Sequence, residues 1–259
     1  MKQTLLEITQ DILQEMSSFP VNGIADTVES EQVAGIVKAA YFDIMALREW
    51  AHSKKTITLD SATSTRPTHL STPAHVKRVM RIMYDVRKTA PERLKYQELV
   101  YLTPEQFLSS SLALNSTATN VDTVVDPGGA TILVRNDKQP QYWTSFDDQY
   151  IVCDSYYSTL DTHLQSSKTQ ALVVMTPTWT HADTFYPDLP EEAYPYLVAE
   201  ATSRAFLSLK GVANEKAEQS AARHRMYMSQ AGWKLNSGGR IPNFGRTPPG
   251  STKNPYLEK

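Results

Sequence analysis

Cysteine is almost missing from this chain. Cys153 is the whole complement among 259 residues. No intrachain disulfide can form, and a structural zinc site would need His and carboxylate ligands only, which is unusual. That usage points to the reducing cytoplasm, at least during assembly. No run approaches the roughly 18 apolar residues that a membrane helix needs. The start, MKQTLLEITQ, passes straight into an amphipathic pattern and lacks the apolar stretch and cleavage site of a secretory leader. Charge of one sign is scarce too: 26 Lys and Arg against 28 Asp and Glu leave −2. Such a balance gives no general pull towards nucleic acid or an anionic membrane. What is present suits a globular chain, 41% hydrophobic and 21% charged. It is long enough for one large domain or two small ones.

Periodicity divides the chain into four parts. Residues 1–54 read as a helix pair. Leu5, Ile8, Ile12, Leu13 and Met16 share one helical face. After the breaker Phe19-Pro20-Val21-Asn22-Gly23, a second helix starts near Asp26, with Asp26 and Glu29 as a capping box. Its buried face is Val33, Ile36, Val37, Ala40, Tyr41, Ile44 and Leu47. Residues 55–187 alternate instead, as strands do. Asp126-Pro127-Gly128-Gly129 marks one hairpin turn and Asp147-Asp148 a second. Thr103 and Pro104 start a short helix as N-cap and first helical residue. Residues 188–231 read as one long helix opened by an Asp188/Glu191 capping box. Leu197, Ala201, Ala205 and Leu209 form its ladder, joined by Val198, Phe206, Val212 and Ala213, with a kink or late start at Pro195. Beyond Gly211 this helix turns polar all round, so it has to project or find a partner. Residues 232–259 are rich in Gly and Pro, without periodicity, and read as an extended arm. The fold expected is α+β: a helical bundle lobe with an inserted β-rich lobe and a C-terminal arm.

Chemistry-bearing residues are few. His52, His69, His75, His163, His181 and His224 show no zinc spacing and read as surface or turn histidines. Asp147 and Asp148, beside Trp143 and Tyr150, could be paired carboxylates over an aromatic platform. Adjacent strand residues point to opposite faces, however, so a polar turn is the simpler reading. Cys153, after Ile151 and Val152, reads as strand core. Gly128-Gly129 and Gly238-Gly239 lack any phosphate-binding pattern. From Lys210 onward nine Lys or Arg stand against three Glu. Arg223-His224-Arg225, with Arg240 and Arg246, therefore faces either nucleic acid or an acidic protein; the protein is favoured. Trp233, Ile241, Phe244, Tyr256 and Leu257 are apolar anchors along the same stretch.

Several strings, in order, resemble the head-to-tail adaptor family of short-tailed bacteriophages, the group around tail tubular protein A. They are Arg66-Pro67-Thr68-His69, Arg135-Asn136-Asp137, Tyr142 to Asp148, Tyr150-Ile151-Val152, Asp188-Leu189-Pro190 and Ala213 to Gln219 ahead of the basic cluster. The resemblance covers most of the chain. It implies a structural virion protein at the head–tail interface, assembled in the host cytoplasm. It implies a homo-oligomeric ring, twelve copies in the family, between portal protein and tail nozzle, through which DNA passes without specific binding. No catalysis, cofactor, metal or membrane contact is expected. The portal contact would draw on Arg223, Arg225, Trp233, Arg240, Ile241, Phe244, Arg246, Tyr256 and Leu257. Two other readings stay open from the residues alone: a DNA-binding protein with a basic tail, and a cell-wall hydrolase with a carboxylate pair.

Overall fold

A computed structural model of the chain describes residues 2–47, 49–87 and 93–236, with side chains in the last helix as far as Ser229. It is a mixed α/β protein with five α-helices and a curled seven-stranded sheet. Two compact units emerge: residues 1–44 with 181–259, and residues 45–180.

The first unit is helical. Helix α1 (Leu5–Glu15) begins at Thr4, whose side chain and that of Glu7 cap each other's backbone amides. Leu5, Ile8, Ile12, Leu13 and Met16 are all buried, as the spacing predicts. Helix α2 (Val28–Ala46) starts differently from the sequence expectation. Asp26 instead accepts from the Asn22 and Gly23 amides and tightens the preceding loop. The cap falls to Thr27, whose hydroxyl accepts from the Ser30 amide at 3.0 Å while Ser30 Oγ accepts from Thr27 N at 3.1 Å. Val33, Val37, Ala40, Tyr41 and Ile44 are buried, whereas Leu47 lies past the helix end and is 52% exposed.

The long C-terminal helix of the sequence reading is two helices. The Asp188/Glu191 box does not form. A short 3-10 turn, Glu191–Ala193, leads into α4 (Tyr194–Ala205), with Pro195 in its first turn, where no N–H is needed. A π-helical turn, Phe206–Lys210, then ends at Gly211 in the left-handed conformation (φ 65°). Asn214 Oδ1 accepts from Ala217 N at 3.1 Å and starts α5 (Glu215–Asn236). Val212 therefore leaves the expected ladder and is 62% exposed. Helix α5 also runs five residues past the expected boundary at 231; the remainder of the arm, 237–259, lies outside the described residues.

Among the described residues the second unit holds nine strands: β1 (Lys54–Ile57), β2 (His69–Ser71), β3 (Val76–Asp85), β4 (Tyr96–Tyr101), β5 (Val121–Val125), β6 (Thr131–Arg135), β7 (Tyr142–Thr144), β8 (Tyr150–Cys153) and β9 (Thr169–Met175). The large sheet runs β1-β9-β3-β4-β7-β8-β2, and only β4–β7 is parallel. A parallel pair requires a long crossover. Here α3 (Pro104–Leu112) and the β5–β6 hairpin supply it, joined where Ser111 Oγ donates to Leu133 O and accepts from Leu133 N, both at 2.8 Å. The sheet curls until Asp60, just past β1, donates to Ser71 O of the far-edge strand β2 at 3.1 Å. Inside lie Leu59, Leu70, Ile82, Ile151, Val152 and Val173, all at most 1% exposed. Each such side chain contributes about 1.5–3 kcal/mol through burial.

The split of the C-terminal helix can be tested by sign. Gly211→Ala places a Cβ on a left-handed residue and should lower stability by about 1 kcal/mol in urea titration. A continuous helix would instead gain about that amount from the same change.

Candidate partner-binding surface

Helix α5 packs through a narrow seam. Ala217, Ala221 and Met228 are buried and His224 is half-buried, a spacing of four, three and four residues that keeps one stripe inward. Ala217 and Ala221 are small, and α4 is the helix that α5 packs against. Off the seam, most of the described side chains of α5 face solvent. Arg223 and Arg225 are exposed, and Arg223 Nε donates to Gln219 O at 3.2 Å. Arg225 lines a cleft of about 370 Å3 with Glu200, Ser203, Glu218, Ala221 and Met226. Burial raises the Tyr196 phenol, and Arg225 and Arg204 partly oppose that rise. Glu200 is already engaged by Arg204 (2.9 and 2.8 Å), which also reaches Asp43 at 2.5 Å.

The structure thus exposes both Arg223 and Arg225, but two residues apart they stand on different sides of α5, with Arg225 at the cleft against α4. Sequence reasoning missed the two large apolar residues beside them, Met226 and Tyr227, which are 66% and 56% exposed. The available signal was that neither falls on the 217-221-224-228 seam. The backbone places Trp233 on the same helix. Arg240, Ile241, Phe244, Arg246, Tyr256 and Leu257 lie outside the described residues.

The other candidates occupy structural joints. Asp147 Oδ1 accepts from the Gln149 and Tyr150 amides, both at 3.0 Å, and Asp148 (φ 58°) donates its amide to Ser145 Oγ. The Asp147 carboxylate and the Asp148 backbone shape the β7–β8 turn. Cys153 is fully buried between strands, and burial pushes its thiol far above the usual range. His69 departs from the surface reading. It is 3% exposed, with Nε2 at 3.2 Å from Asp126 Oδ1 and Nδ1 at 3.3 Å from Thr68 Oγ1. Beside it Arg66 Nε donates to Val125 O, so the Arg66–His69 string clamps the end of the β5–β6 hairpin. The Arg135–Asp137 string does similar work through Asn136 to Asp122 (3.0 Å) and Asn120 to Asp137 (3.1 Å). Among the described residues no three His, Cys, Asp or Glu gather as a metal-ligand set, and no helix is long and apolar enough to cross a membrane.

No family model matches this chain, and no curated protein matches it in sequence.

Burial holds the His69 imidazole below its ordinary pKa, against the pull of Asp126. The unfolded chain therefore takes up this proton first. The contribution is complete above the unfolded value near 6.5 and is lost as pH falls below it. Chemical denaturation at a series of pH values should show this slope in the native protein and a shallower one in His69→Gln. Parallel slopes would refute the assignment.

Proposed function

We propose that this chain is a structural virion subunit, the head-to-tail adaptor of a short-tailed phage. About twelve copies would form a ring joining the portal to the tail nozzle around the DNA channel, as the resembling family does. The observation that carries the reading is the order of the family-like strings along the chain. Several lie at joints of the fold: the hairpin clamp at Arg66–His69, the crossover at Arg135–Asp137, the β7–β8 turn and the cap of α5. Strings of that kind preserve a shape, and an adaptor works by shape.

In this reading the helical unit is the bundle lobe, and the β unit is the lobe inserted between its halves. The C-terminal segment reaches the portal. Support comes from the solvent-facing sides of α5, where Arg223, Arg225, Met226 and Tyr227 are all exposed, a mixture of aromatic, Met and Arg typical of interface anchors. In sequence these residues are followed by Trp233 and by the basic stretch carrying Arg240, Ile241, Phe244, Arg246, Tyr256 and Leu257. Basic groups would steer the approach to an acidic portal surface, and the apolar anchors would hold it. Twelvefold repetition turns weak single contacts into durable attachment. No cofactor, metal or catalytic step enters the reading, and DNA passes through without specific binding.

The test is a truncation after Asn236, which keeps every described helix. The shortened protein should retain its helix content by circular dichroism and lose binding to the portal in a pull-down. Normal portal binding by the truncated chain would sink the portal-contact assignment. Strong, salt-dependent affinity of the free protein for duplex DNA would favour the nucleic-acid reading instead.

A further inference from the structure

Phe19 is 88% exposed, the most exposed of the large apolar side chains described. It stands on a loop pinned at both sides. Ser18 N donates to Leu13 O at 2.9 Å, Ser18 Oγ donates to Glu29 at 2.8 Å, and Gln10 Nε2 donates to Val21 O at 2.7 Å. Val21 itself is buried. The loop is therefore held in place while its one aromatic ring projects, with Val28 (73% exposed) at the start of α2. The neighbouring sequence carries charge of one sign. Between Lys2 and Lys38 the chain has no Lys or Arg, but it carries Glu7, Asp11, Glu15, Asp26, Glu29 and Glu31. The nearest cation, Lys210, is committed to Glu29 and Ser18.

The β unit carries the complementary shape. Strand β3 slips register against β9 twice, between Val76 and Arg78 and between Val79 and Arg81. Such bulges add twist. Strand β4 pairs with only the second half of β3, Ile82–Asp85, and then turns to β7 at Val100 and Tyr101. The sheet splits there, and a groove of about 510 Å3 opens between the first half of β3 and β7. Trp143, Ile151 and Val79 form its apolar lining, with Tyr101 edge-on to Trp143 at a centroid distance of 4.9 Å. Lys77 and Arg78 stand at it, with Asp148 as the acidic member of the lining. Arg78 is paired with Glu49, whereas Lys77 makes no ion pair among the described residues.

We propose that Phe19 of one copy seats in the β3/β7 groove of a second copy of this chain. An aromatic ring suits a pocket walled by Tyr101 and Trp143, where edge-to-face packing is available. The acidic surroundings of Phe19 meet Lys77 at the groove, which is complementary in charge. Projection and groove are different surfaces, so the contact is heterologous and each copy offers one of each. Repetition then closes a ring or runs on as a filament. The proposal deepens the self-assembly part of the adaptor reading and rests on it for the choice of a second copy as occupant.

Two variants, each with one added cysteine, test it. Pro20→Cys leaves the neighbouring Phe19 in place and Met80→Cys sits at the groove; both positions are exposed, and the native Cys153 is buried beyond reach of reagent. Full-length proteins are mixed at high concentration with a short bis-maleimide, and products are resolved by denaturing electrophoresis. The mixture should give cross-linked dimer several-fold above each variant alone and above a control mixture of Pro20→Cys with Leu112→Cys, an exposed site on α3. Adding Phe19→Ala to the Pro20→Cys partner, or Lys77→Glu to the Met80→Cys partner, should lower that yield several-fold. A mixed yield no higher than the control overturns the proposal, and so does a Pro20→Cys product that forms equally well alone. Portal binding is scored separately on the native protein. Its loss would remove the adaptor reading and leave a cross-linked contact standing; its presence without cross-linking would do the reverse.

Discussion

The helical unit depends on the return of the chain past Asp183 and Phe185 to the start of α1. A helix start leaves its first amides without partners. Here Phe185 O accepts from Leu5 N at 2.8 Å and Asp183 O from Leu6 N at 3.3 Å. The Asp183 carboxylate accepts from Ile24 N at 3.0 Å in the α1–α2 loop. One short segment, about 180 residues downstream, thus fixes the beginning of α1 and the approach to α2. Ion pairs then tie α2 to the later helices, Asp43 to Arg204 and Glu29 to Lys210. These last are exposed pairs and contribute little; the burial of Leu5, Ile8, Tyr41 and Leu197 contributes most.

The β unit has its own non-local closure. Strand β9 is last in order yet sits between β1 and β3, and both must wait for it. Loop-closure entropy makes such pairings slow to form. Thr169, the first residue of β9, is fully buried and accepts from Leu59 N at 2.9 Å, which ties the end of the β1 segment to the new strand. The same sheet tolerates two bulges in β3 and a parallel step at β4–β7. Those irregularities leave aromatic side chains lining an open groove in an otherwise closed core. Irregular pairing of this kind is where sheets present surface for use.

The proposed structural role would give these features a common logic, since an adaptor needs rigid joints and surfaces that other chains can read. Several of the family-like strings fall at joints, while the exposed Phe19, Met226 and Tyr227 are apolar groups the fold holds outward. The two basic elements differ in sequence character: one is spread over strands, the other concentrated near the C-terminus. They suit different partners, a second copy and the portal, in the assembly proposed.

Local sequence determined the pieces whose signals are local. The faces of α1 and α2 follow from apolar spacing, the Thr103-Pro104 helix start from capping chemistry, and both hairpins from Asp, Pro and Gly at the turns. The mixed α/β class follows from the change of period near residue 55. What sequence reading missed was decided at longer range. Gly211 within a periodic stretch reads as tolerated, yet it stops a helix because α5 folds back on α4. Asp26 reads as a cap, yet it is drawn into the loop and Thr27 replaces it. His69 reads as a surface residue because its partner Asp126 lies 57 positions away. Exposure of Met226 and Tyr227 depends on which stripe of α5 meets α4, and the β3/β7 groove depends on where β4 leaves β3. Periodicity reports which face of an element is apolar; which neighbour covers that face, and where the covering stops, only the packed tertiary structure decides.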